Sequence, residues 1–63
     1  DAVQLGDHVR LTLLRNGMVF LLDTRARQRG HVGQVIRVFA PDTRTSYMAR
    51  ITQPGEALWV RTL

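Results

Sequence analysis

The side chains of this chain that could do chemistry are few, and their spacing limits them further. Asp7 and His8 set a carboxylate beside an imidazole. They open a stretch that alternates like a β-strand, in which neighbours leave on opposite faces, so they are badly placed to act as a pair. His31 sits in Gly30-His31-Val32-Gly33, where a surface or turn-capping role is expected. Ser46, the one serine, lies within a strand-like segment and lacks the strained, glycine-flanked elbow that exposes a nucleophile. The carboxylates Asp1, Asp7, Asp23, Asp42 and Glu56 are scattered, with no spacing that implies a shared site. Cysteine is absent, and two lone histidines make a poor metal site. The expectation is a non-enzymatic protein with no catalytic residue, no cofactor and no metal.

Arginine is the one abundant chemical group. All nine basic residues are Arg, set against five acidic ones, for a formal net charge of +4. The planar guanidinium suits carboxylates and phosphates, so an acidic partner has to be considered. Only Arg25, Arg27 and Arg29 cluster; the remaining arginines are spread as on a solvated surface. Gly30-x-x-Gly33 precedes a strand, whereas a phosphate cradle needs a helix N-terminus behind its glycines. A binder of single-stranded nucleic acid would interleave basic residues with aromatic rings on one exposed face. Phe39 beside Arg37 and Trp59 beside Arg61 are compatible with such a face, but they read first as the edge of a core. The weight therefore falls against nucleic acid, which stays as the alternative.

The elements that must position these groups are strands. His8 to Leu14 alternates, Asn16-Gly17 follows, and Met18 to Asp23 returns. Asn-Gly between alternating apolar runs is a strong signal for a hairpin closed by a type I′ turn, because both central residues need positive φ. A two-residue loop pairs Leu13 with Phe20, Leu11 with Leu22 and Arg10 with Asp23, which puts Leu11, Leu13, Phe20 and Leu22 on a core face. The polar stretch from Thr24 to Val32 reads as a loop, and its Gly30 and Gly33 suggest that at least one holds a backbone angle other residues resist. Three more strands are expected: Gln34 to Phe39 with Ile36 and Val38 aligned, Arg44 to Thr52 with Tyr47, Ala49 and Ile51 aligned, and Ala57 to Thr62 with Leu58 and Val60 opposite Trp59 and Arg61. Ala40-Pro41-Asp42-Thr43 and Gln53-Pro54-Gly55 are the turns between them. No segment carries sustained helical periodicity. The fold expected is all-β, a small antiparallel rolled sheet or barrel of about five to six short strands.

At 63 residues the chain is one domain, 1–63, with a thin core. Its longest apolar run, Met18 to Leu22, has five residues, far from a membrane span. It opens at Asp1 without Met or a targeting segment, and so reads as a piece of a longer or processed protein. On the second face of the first hairpin, Leu14, Val19 and Leu21 form an apolar strip with no partner in the pairs that can be drawn. Either a later strand covers it, or it meets a missing N-terminal part or a client protein. In the second case Arg25, Arg27 and Arg29 would act as a polar rim that steers an acidic partner.

Taken in order, Gly6-Asp7-x-Val9, Asn16-Gly17, Ala26 with Gly30-x-x-Gly33-x-x-Ile36-Arg37-Val38, Thr43, Ala49-x-Ile51 and Pro54-Gly55 resemble the C-terminal β-domain of the flagellar basal-body P-ring formation chaperones, a SAF-like β-clip domain. The resemblance covers nearly the whole chain and is densest from Ala26 to Val38. The chain departs from it at Phe39-Ala40, where the family has Asn, at Thr43, where Ser is common, and in the heavier apolar run from Met18 to Leu22. What the resemblance implies is the C-terminal domain of a periplasmic, non-enzymatic assembly factor without cofactors. Its partners would be the flagellar P-ring subunit or another basal-body component, together with its own N-terminal domains. Related domains occur in pilus assembly proteins, so a pilus-type periplasmic module shares the fold and stands beside the first reading.

Overall fold

The computed structural model describes residues Asp1–Leu63. Five strands follow one another without a helix: β1 (His8–Arg15), β2 (Met18–Ala26), β3 (Val35–Ala40), β4 (Thr45–Gln53) and β5 (Glu56–Thr62). They close into a barrel in the order β1-β2-β3-β4-β5. Each consecutive pair is antiparallel, but the closing pair, β1 with β5, is parallel. An odd number of alternating strands brings the first and last to the seam pointing the same way. The wholly antiparallel sheet expected from the sequence is corrected at that seam alone.

The hairpin between β1 and β2 forms as its turn sequence demands. Asn16 and Gly17 take φ of 52° and 76°, and the register runs from Arg15↔Met18 through Leu13↔Phe20 to Arg10↔Asp23. Both turn angles are positive, as a type I′ loop requires. Arg10 and Asp23 lie opposite each other without forming an ion pair, and on the surface His31 Nε2 lies 3.3 Å from Asp1 Oδ1. The second strand runs on to Ala26, where a loop was expected, because Thr24 and Ala26 are buried. The Thr24 hydroxyl donates to the Val9 carbonyl at 2.8 Å, which satisfies the one buried polar side chain.

The core gathers the expected inward positions of β3 and β4, Ile36, Val38, Tyr47, Ala49 and Ile51, against Val9 and Leu11 of β1. On β5 it takes Ala57, whereas Leu58 is exposed and Val60 half-buried. The alternation expected there is interrupted by a shift of register between Met48 and Ala49. Val3, wholly buried, was not legible in the sequence. It reaches the core by exchanging two backbone hydrogen bonds with Gly30, Val3 N–H to Gly30 O at 3.1 Å and Gly30 N–H to Val3 O at 2.9 Å. Gly33 has φ of 93°, so the expectation of an unusual angle in this loop holds. Gly30 has an ordinary angle but sits so close to the core that a Cβ would lie 2.9 Å from Ile36 Cγ2 and 3.0 Å from Ile51 Cδ1.

Candidate protein-interaction surface

The barrel leaves half of its first hairpin uncovered. β5 pairs with β1 only from Arg10 to Thr12, and β3 pairs with β2 only at Arg25 and Ala26. Beyond those pairs the hairpin projects as a two-stranded arm. The molecule is 32 Å along its longest axis, about the length of a nine-residue strand.

Burial along the arm follows from this. Leu11, still inside the barrel, is fully buried, and Leu13 and Leu22 are half-buried. Phe20, expected in the core, is 42% exposed because no strand lies beneath it. The outer strip is more open, with Leu14 65%, Val19 60% and Leu21 60% exposed. No later strand covers it. Met18 is exposed too, so the arm is apolar on both faces. Beside β5, Leu13, Leu14, Arg15 and Asn16 border a groove of about 490 Å³ with Trp59 and Thr62. The Trp59 indole N–H donates to Thr62 Oγ1 at 3.1 Å across the groove wall.

The arginines do not frame this strip. Arg25 shares its face but is separated from Leu21 by Asp23, and its Nη1 donates to the Gly6 carbonyl at 3.2 Å. Arg27 lies past the end of β2 with its guanidinium 4.8 Å from the centre of the Phe39 ring. Arg29 lies farther along, lining a separate groove with Asp1, Gln4, Leu5, Arg27 and Gln28. Arg27 and Arg29 belong to a second, basic surface past the end of β2. The aromatics are also dispersed: Tyr47 is buried, Phe39 stacks under Arg27, and Phe20 and Trp59 belong to the arm. They form no common platform for bases.

No three histidine, aspartate or glutamate side chains converge as metal ligands. Asp7 uses its Oδ2 to accept from the Gln4 N–H at 2.9 Å, which holds the tight turn before β1. His8 and Ser46 lie on different strands with no hydrogen bond between them. No helix is long and apolar enough to cross a membrane.

Fold and surface together define a small β-barrel module with an apolar hairpin arm. Among solved structures, the crystal structure of Salmonella FlgA in open form shares this fold, with a TM-score of 0.81 and 19% sequence identity over 90% of this chain. The chain spans 27% of that protein's length. No family model matches the sequence, and no curated protein does. The likeness is one of fold, and it agrees with the SAF-like β-domain that the ordered motifs from Gly6 to Gly55 resemble.

Proposed function

We propose that this chain is the binding module of a periplasmic flagellar P-ring assembly chaperone, and that it meets ring subunits or another basal-body component through Leu14, Val19 and Leu21. The observation that carries the contact is the uncovered arm, since contiguous exposed apolar surface is the usual mark of an interaction site. The flagellar assignment rests on the motif series and on the fold shared with FlgA, a P-ring chaperone. Arg25, Arg27 and Arg29, set apart from the strip, serve approach more than affinity, because charges outside the contact act chiefly on association rate. Dispersal of the aromatic rings disfavours the single-stranded nucleic-acid reading.

A pull-down with purified P-ring subunit, run beside circular-dichroism melts, tests this reading. Val19→Asp and Leu21→Asp are expected to fold with little loss of stability and to weaken capture of the subunit. Undiminished capture by folded variants would remove the strip from the interface, and unfolding of both would assign it to the core.

A further inference from the structure

The outer edge of β2 is an unfilled hydrogen-bonding ladder. β2 runs from Met18 to Ala26, yet β3 meets it only at Arg25↔Phe39 and Ala26↔Val38. In an antiparallel pair, residues alternate between exchanging backbone bonds with the partner and turning those groups away. The bond from the Ala26 N–H to the Asp7 carbonyl, 2.9 Å, sets the phase. Met18, Phe20, Leu22 and Thr24 turn toward β1, and Val19, Leu21, Asp23 and Arg25 turn outward. Arg25 finds Phe39. The outward groups of Val19, Leu21 and Asp23 have no strand beside them, and no loop or turn hydrogen bond reaches them.

Proteins blunt such edges with Pro, Lys, bulges or a covering loop. From Met18 to Leu22 this edge has none of them: the run is uncharged and its register with β1 is unbroken, and the first charge along the edge is Asp23. Where β3 turns away, the edge ends in a notch of about 200 Å³ lined by His8, Asp23, Thr24, Arg25, Pro41 and Asp42. Arg25 is held by the Gly6 carbonyl, and neither Asp23 nor Asp42 has an ion-pair partner.

We infer that the β2 edge is a strand-addition site for an extended segment of another polypeptide, apolar at alternate positions and carrying a basic residue at the end that enters the notch. Backbone bonds to Val19, Leu21 and Asp23 supply the pairing, and the Val19 and Leu21 side chains select an apolar face. The two unpaired carboxylates select the cation. A second copy of this chain is a poorer occupant. Twofold pairing centred on Leu21 sets Asp23 of each copy against Val19 of the other, and it joins two chains of formal charge +4. The inference deepens the proposed contact and rests on that reading only for the partner's identity.

Residue-resolved amide exchange on the isotope-labelled chain tests it, with an end-capped peptide Lys-Thr-Val-Thr-Val-Thr as the probe. Saturating peptide is expected to slow exchange at Val19, Leu21 and Asp23 by about tenfold or more, while Phe20 and Leu22, already bonded to β1, change little. N-methylating the peptide at the residues that face β2 should abolish this protection, and N-methylating the opposite phase should preserve it. Equal protection by both methylated peptides, protection without alternation, or none at all would overturn strand addition. Protection of the same amides that rises with protein concentration alone would assign the edge to a second copy and overturn the occupant. Running the P-ring subunit in parallel separates the two claims: if the peptide protects the edge and the subunit does not bind, the flagellar reading fails and the edge site stands.

Discussion

Gly30 and Gly33 are three residues apart and irreplaceable for different reasons. Gly33 has open space where a Cβ would go but a φ of 93°, so Gly33→Ala is expected to cost about 1–2 kcal/mol through the backbone alone. Gly30 has an ordinary φ and no space, so Gly30→Ala must push Ile36 and Ile51 apart, at a cost of about 1–3 kcal/mol. Urea denaturation of both variants checks the pair, and a stable Gly30→Ala would contradict the packing. Arg44 presents the reverse case, a non-glycine residue held at φ of 54° in the Pro41–Arg44 turn. Arg44→Asn, which tolerates that region better, is expected to raise stability by several tenths of a kcal/mol, read as a higher denaturation midpoint. An unusual angle in the glycine loop was legible because glycine advertises it. The Arg44 angle was not, since arginine gives no such sign, and the tightness at Gly30 comes from two strands distant in the chain.

At the scale of elements, the arm separates what alternation can tell from what it cannot. The turn, the register and the two faces of β1 and β2 follow from Asn16-Gly17 and a period of two, which are local. How far the core extends along those faces depends on how long β3 and β5 run beside them, which no local pattern records. Hence Leu11 is buried and Phe20 is not, although both were expected on the core face. The contrast is measurable. Leu11→Ala should cost about 2–5 kcal/mol, and Phe20→Ala less than half as much, in paired thermal melts. Equal losses would place the arm inside a packed core. The Arg10↔Asp23 register pair makes no ion pair, so Asp23→Asn is expected to shift stability by no more than about 0.5 kcal/mol. The apolar strip itself was legible as a pattern without a partner; that it stays uncovered became clear only from the pairing limits of β3 and β5.

For the molecule as a whole, the barrel is the packed, closed part and the arm is the part that reaches out. Eleven buried apolar residues, few of them large, hold five strands whose closing pair is set by parity. Two exposed surfaces sit apart: the apolar arm, with Arg15 at its tip, and the basic patch around Arg27 and Arg29 beside the chain's first residues. A partner that binds the arm therefore need not touch the arginine surface, and the two can be tested in one experiment. Backbone amide shifts of the isotope-labelled chain, followed while unlabelled P-ring subunit is added, show which of the two surfaces meets the partner. The largest changes are expected between Leu14 and Asp23, with Arg27, Arg29 and Phe39 little affected. Changes centred on Arg27, Arg29 and Phe39, or no change at saturating subunit, would contradict binding through the arm.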